Sequence, residues 1–298
     1  MTESQGENQQ MRPFRFGVNL FGIDGDFTEQ VRAVEATGAD VLMVPDHLGF
    51  TAPFPALVAA GAVAQRMRLG HFVLNTGFYS PALLARDVAA TDQFTGGRLE
   101  IGLGAGYAEN EFVDAGIPFL PAGRRVDHLA RTVRHLRETL SDPQYRPAPV
   151  QSPPPIMVAG VGDRVLTLAA QHADIIALSA IPDRATLADR VGFIKSVAGQ
   201  RFAELELNLI IFGLAIDREP QLDGLRSLHP GAGDDELLAS MNGLFGTLDE
   251  VTAQIRDLRE SFGVSYFTII NPDGPTRADL AQLIAAVRPT ESGADQAI

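Results

Sequence analysis

A chain of 298 residues with a formal net charge of −13 carries no basic stripe for neutralising phosphates, which excludes nucleic acid as a partner. It has no cysteine, so disulfides, thiolate metal sites and a cysteine nucleophile are ruled out, and redox chemistry would have to come from a bound cofactor. With 45 % hydrophobic residues it can bury one large core, and its length allows either two domains or a single alternating α/β barrel of roughly 250 to 300 residues.

The first residues, MTESQGENQQ, have neither the basic nor the apolar region of a signal peptide, and 1–12 reads as a disordered tail. No apolar run reaches the ~20 residues needed to cross a bilayer, so the expectation is a cytoplasmic protein without a membrane partner. Strand and helix candidates then alternate. A strand at Phe14 to Leu20 precedes a helix near Thr28 to Thr37, and Val41 to Pro45 precedes one near Phe54 to Gln65. Leu69 to Leu74 leads to Pro81 to Phe94, and Leu99 to Leu103 to Gly123 to Leu140. Pro155 to Ala159 is followed by Asp163 to His172, and Asp174 to Leu178 by Arg184 to Gly199. Leu205 to Ile216 and Val264 to Ile270 lead to helices near Leu248 to Ser261 and Arg277 to Val287.

Strands apolar on both faces belong in a parallel sheet covered by helices, and eight units in a row predict closure into an α/β fold of the TIM (β/α)8 barrel type. One domain then spans 13–290, followed by a polar tail at 291–298. The proline-rich stretch Ser141 to Pro154 reads as an ordered-to-mobile loop rather than a domain boundary, since four units on either side close no barrel. Asp217 to Asn242 reads as an insertion over the substrate.

In such a barrel the polar residues at the C-terminal strand ends face the chemistry. They are Asn19, Asp46 and His47, Asn75 and Thr76, Gly104 to Tyr107, Gly160 and Gly162, and Asn271. An imidazole titrates near neutrality, so His47 beside Asp46 is the acid/base candidate, unless the pair only caps the next helix. His128 and His135 share one face of a helix that looks like solvated exterior, and no histidine pair has metal-site spacing, so no metal is expected. Gly104 and Gly106 let the backbone turn and approach a ligand without a Cβ. Gly160, Val161 and Gly162 can aim backbone N–H groups at an anion, or form a plain strand-to-helix turn with Asp163 as N-cap. Phe50, Phe54, Phe78, Tyr79 and Phe119 suggest an apolar pocket mouth, although loop aromatics also serve packing. Glu109 and Glu111 read as a solvated helix start.

Four motifs, FRFGVNLF at Phe14, VLMVPDHLG at Val41, RLGHFVLNTGFYSPALLARDVAATDQFTGGRLEIGLGAGYAENEF at Arg68 and PIMVAGVGDRVLTLAAQHAD at Pro155, carry a resemblance to the luciferase-like monooxygenase superfamily in its deazaflavin-dependent branch. The segment from Phe245 resembles the family's last helix and strand, so the resemblance covers most of the chain. It implies a ring of coenzyme F420 (8-hydroxy-5-deazaflavin), or alternatively of flavin mononucleotide (FMN), across the strand ends. Asp46 and His47 would lie beside the ring, and Gly160, Val161 and Gly162 at the phosphate. It implies a non-proline cis peptide at Phe72 to Val73 behind the ring, with Asn75, Gly104 and Gly106 nearby. It also implies a small-molecule substrate and a homodimer. The implied activity is hydride transfer with His47 as acid/base; the alternatives are an FMN-dependent monooxygenase or a catalytically silent flavin-binding barrel. One departure stands out. Some deazaflavin dehydrogenases have a proton-transferring glutamate just after the strand-four glycines, and Tyr107 occupies that position here, which counts against a sugar-phosphate dehydrogenase.

Overall fold

A computed structural model of the chain describes residues 11–22 and 25–288; most of the polar N-terminal tail and all of the polar C-terminal tail lie outside them. In chain order the elements begin β1 (Arg15–Asn19), α1 (Phe27–Ala36), β2 (Val41–Val44), α2 (Pro53–Val63), β3 (Arg68–His71) and β4 (Leu74–Asn75). They continue α3 (Pro81–Phe94), β5 (Leu99–Gly104), α4 (Glu109–Asp114), α5 (Ala122–Ser141), β6 (Ile156–Ala159), α6 (Asp163–His172), β7 (Ile175–Leu178) and α7 (Arg184–Ala198). The last are β8 (Glu206–Ile211), β9 (Gly213–Ile216), α8 (Asp223–Leu228), α9 (Asp234–Leu238), β10 (Gly243–Gly246), α10 (Leu248–Phe262), β11 (Val264–Ile270) and α11 (Gly274–Val287).

Parallel pairing runs β3-β2-β1-β11-β8-β7-β6-β5-β4, and β3 also pairs with β5, with Leu69 opposite Leu99. The ring closes as expected, β3 and β4 together acting as one barrel strand. Local chemistry explains the helix ends. Asp26 caps α1 by accepting from the Thr28 and Glu29 amides. Thr247 and Glu250 form a reciprocal capping box at α10, which stops at Gly263 in the left-handed region (φ 79°).

Burial divides into two layers. Strand residues such as Leu99, Ile101 and Leu103 pack outward against the helices in one large core. A smaller cluster inside the barrel includes Met43, Phe72, Met157 and the fully buried Tyr266. The inward positions of β5 are Glu100, Gly102 and Gly104. Glu100 closes the end away from the strand exits, bonded by Arg15 and, at 2.5 Å, by Arg68, while Arg15 lies 4.5 Å over the Tyr266 ring. Gly102 and Gly104 leave room for the break between β3 and β4. A Cβ on Gly102 would stand 2.0 Å from the His71 carbonyl oxygen, and one on Gly104 would stand 2.8 Å from Val73 Cγ2.

Several expectations need correcting. Leu205 to Ile216 is two strands: β8 stays in the barrel, and β9 leaves it to pair in parallel with β10, with Gly213 opposite Gly243. The helices α8 and α9 are short elements inside the insertion that the sequence does not announce, and α4 does begin at Glu109 but is not solvated along its length, since Glu111 and Phe112 are buried. The proline-rich connector is fastened to the barrel through Gln151, whose amides donate to Asp92 and to the Leu99 carbonyl. His128 is not on a solvated exterior: its Nε2 bonds the Thr76 carbonyl at 2.9 Å, tying α5 to the turn after β4.

His71 is fully buried against the Phe54 ring (centroids 4.6 Å apart), and neither of its ring nitrogens has a partner. Burial pulls its pKa from 6.5 down to about 3. Between those values the unfolded chain holds a proton that the folded chain does not. Stability from this group is therefore complete above pH 6.5 and is lost as pH falls toward 3. Urea unfolding at pH 5 is expected to show about 2 kcal/mol less stability from this group than at pH 7.5. His71→Leu should remove that difference and cost little at pH 7.5, because it leaves no polar atom unpaired. An unchanged acid slope in the variant would refute the assignment.

Candidate active site

The C-terminal strand ends open into a cavity of about 420 Å³, in the size range of small-molecule sites. Its floor comes from the β3 to β4 break, where the Phe72–Val73 peptide is cis, as the resemblance implies. Asn19 of β1 donates from Nδ2 to the Phe72 carbonyl at 3.2 Å, and its Oδ1 is buried without a partner. Val73 stands over the two missing side chains of β5. The glycines therefore make way first for the protein's own Val73, not directly for a ligand. Gly106 behaves similarly: it has φ 74°, and a Cβ there would lie 2.2 Å from Asn75 Oδ1. Asn75 Oδ1 in turn accepts from the Gly77 amide, and Thr76 Oγ1 donates to the Gly104 carbonyl at 2.9 Å. Together these contacts lock the exits of β4 and β5 to each other.

Asp46 is nearly buried behind the exit of β2. Its carboxylate accepts from the Asn75 amide at 3.1 Å and from the Tyr79 hydroxyl. Burial raises its pKa, and these hydrogen bonds pull the other way. The Tyr79 hydroxyl is pushed up by its own burial and then by the Asp46 charge, so it remains a donor. Asp46 thus clamps β2 to β4, and it does not bond to His47.

The partner of His47 comes from elsewhere. Its Nδ1 lies 2.7 Å from Oε1 of Glu111 on α4, and Glu111 is only 9 % exposed. The solvated reading of Glu111 is therefore wrong, since the carboxylate is buried beside the imidazole. Phe50 and Tyr107 approach the His47 ring edge-on at 5.7 and 5.8 Å. Of the other suggested mouth aromatics, Phe54 packs on His71 and Tyr79, and Phe78 and Phe119 pack on Phe112. They serve the core.

On the far side, Gly160 lines the cavity with Ala159, Val165 and Ser179, whereas Val161 and Gly162 do not line it. The Gly160 amide is already used, donating to the Ala177 carbonyl at 3.1 Å. Gly162, not Asp163, is the N-cap of α6, and no side chain caps that helix. Arg164 pairs with Asp127 at 2.7 Å, and Asp163 pairs with Arg190 at 2.6 Å. From the insertion, Leu228 at the end of α8 reaches the cavity. Among the described residues there is no cluster of side chains able to hold a metal ion, and no helix is long and apolar enough to cross a membrane.

Comparison with known proteins agrees with this architecture. An uncharacterised protein of Mycobacterium tuberculosis is 27 % identical over 238 residues, covering 66 % of this chain and 82 % of its own length. The F420-dependent glucose-6-phosphate dehydrogenase of Amycolatopsis mediterranei is 32 % identical over 123 residues, 38 % of this chain and 37 % of its own. A solved F420-dependent secondary alcohol dehydrogenase, in complex with an F420-acetone adduct, shares the fold with a TM-score of 0.76 at 19 % identity, covering 93 % of this chain and 100 % of that one. A long-chain alkane monooxygenase does so with a TM-score of 0.73 at 15 % identity, covering 92 % and 91 %. The family model for luciferase-like monooxygenases matches residues 24–221, well over half of the sequence. The chain is a member of the luciferase-like monooxygenase family, whose members are oxidoreductases or monooxygenases.

Proposed function

We propose that the protein is a coenzyme F420-dependent oxidoreductase that moves a hydride between the deazaflavin and a small organic molecule, with His47 as the acid/base. The observation that carries this reading is the His47–Glu111 pair at the edge of a cavity with an apolar floor. The residues present fit a planar ring: Val73 and Phe72 offer a flat apolar support, and Asn19 brings an unpartnered carbonyl oxygen. The uncapped N-terminus of α6 suits a phosphate, since its first-turn amides have no side-chain acceptor. When bound, the deazaflavin supplies two-electron hydride chemistry and leaves one proton for the protein to manage.

The chain's own residues can manage it. An ionised carboxylate only accepts hydrogen bonds, so Glu111 holds the proton of His47 on Nδ1 and leaves Nε2 to take or return the substrate's proton. When Nε2 is protonated the imidazole becomes cationic, and the carboxylate at 2.7 Å stabilises it. Glu111 thus supplies a carboxylate four residues after Tyr107, by a different route from the glutamate found in some relatives. The same cradle suits FMN, and the kinship with monooxygenases keeps a reduced-flavin reading as the alternative.

Calorimetric titration of the purified protein with each cofactor separates the two readings. Binding of coenzyme F420 is expected, and tight binding of FMN alone would overturn the proposal. The same titration tests the phosphate end. Gly160→Val would be a poor probe, because a Cβ there meets Val165 Cγ1 at 2.8 Å in a backbone with φ 151°. Nothing lies within 4 Å of a Cβ on Gly162. Gly162→Asp should therefore cap α6 without loss of thermal stability while weakening a phosphate-bearing cofactor by about tenfold through charge repulsion. Unchanged affinity would remove the phosphate from this helix.

A further inference from the structure

We propose that the substrate side of the cavity selects uncharged, largely apolar molecules and rejects anionic ones such as phosphate monoesters and carboxylates. The proposal rests on the oxidoreductase reading only in calling the occupant a substrate.

His47 is flanked by aromatic rings. Phe50 and Tyr107 meet it edge-on, and Phe21 stacks on Phe50 with centroids 5.6 Å apart and planes 18° from parallel. These rings are open to solvent, Phe50 by 43 % and Tyr107 by 77 %. A single exposed ring needs no explanation, but two rings against one titratable side chain, with Phe21 stacked on one of them, form an apolar contact surface at the cavity mouth. Leu228, brought in by α8, extends that surface from the insertion.

Charge points the same way. Among the described residues no arginine or lysine lines the cavity, and its ionisable lining includes the carboxylates of Asp46 and Glu111. Arg125, which reaches the loop after β5, is committed elsewhere: it stacks 4.0 Å over the Phe119 ring, and it donates to the Gly106 carbonyl at 3.1 Å and to that of Leu120. An anion entering beside His47 would shed its water with no arginine or lysine to replace it, and would face the Glu111 charge. A neutral alcohol or carbonyl compound sheds little hydration, covers the rings, and needs only one polar partner, which the imidazole provides.

Calorimetry with 2-phenylethanol and 2-phenylethyl phosphate as a matched pair tests this, on the full chain with and without each cofactor. The alcohol is expected to bind at least about tenfold more tightly than its phosphate ester. Tyr107→Arg changes an exposed ring and should narrow that ratio by about tenfold, and Leu228→Arg should do the same from the insertion. Equal or tighter binding of the phosphate ester by the wild type, binding of neither probe, or a ratio unmoved in both variants would overturn the proposal. Loss of cofactor binding with the preference intact would sink the cofactor reading alone, whereas intact cofactor binding with the preference gone would sink this proposal alone.

Discussion

His47→Ala is expected to lower turnover of the cofactor-loaded protein by about 10²- to 10⁴-fold, the usual contribution of a positioned acid/base group, while cofactor affinity stays within about threefold of wild type. The asymmetry follows from the geometry. His47 stands at the cavity edge among aromatic rings, and the proposed cofactor support comes from Phe72 and Val73 in the break between β3 and β4 and from Asn19 on β1. Glu111→Gln separates orientation from packing. The glutamine oxygen can still accept from Nδ1, so the ring stays in place, but no charge remains to stabilise the imidazolium. Its turnover should fall by about 10- to 100-fold with an unchanged melting temperature and a displaced acid limb of the pH–rate profile. Wild-type turnover in either variant would reject the acid/base role, and an unshifted pH profile in Glu111→Gln would reduce that residue to packing.

Gly102→Ala is expected to be among the most damaging single-methyl additions in the chain, costing about 3 kcal/mol in urea unfolding. The obstacle is backbone, since the new Cβ would lie 2.0 Å from the His71 carbonyl oxygen and 3.1 Å from Val73 Cγ1. A flexible side chain could swing aside, but a carbonyl in the β3 ladder cannot move without disturbing the pairing of β3 with β2, where His71 stands opposite Val44. Because Val73 is the cavity floor, the variant should also lose cofactor affinity, measured on whatever folded fraction remains. A fully stable Gly102→Ala protein would show that β3 and β5 do not approach as described.

The elements that carried the fold were legible because they are periodic and local. The helices at Pro81–Phe94 and Asp163–His172 match their predicted limits, one with proline in its first turn and the other with glycines just before it. Parallel strands buried on both faces reveal themselves by composition. What escaped was non-local. The run Leu205 to Ile216 looks like one strand, because both halves are apolar and only pairing decides that β9 belongs with β10. Glu111 sits in a six-residue helix among other acids and reads as solvated. Its burial depends on an imidazole 64 positions away, and no local pattern encodes that. Asp46 was legible as a site residue by its place, but its partners on β4 and Tyr79 were not. The glycines of β5 were conspicuous, yet the side chain they accommodate, Val73, comes from the break between β3 and β4.

The departure of β9 from the barrel has a consequence for how such a protein can diversify. Because β9 and β10 pair in parallel from Gly213 opposite Gly243 to Ile216 opposite Gly246, both ends of the intervening segment are clasped outside the eight-stranded ring. That segment holds α8 and α9 and delivers Leu228 to the cavity. It is therefore a cassette: its sequence and length can be rewritten between two fixed hinges while the barrel and the His47–Glu111 pair keep their registers. New substrate preferences can then arise without renegotiating the fold.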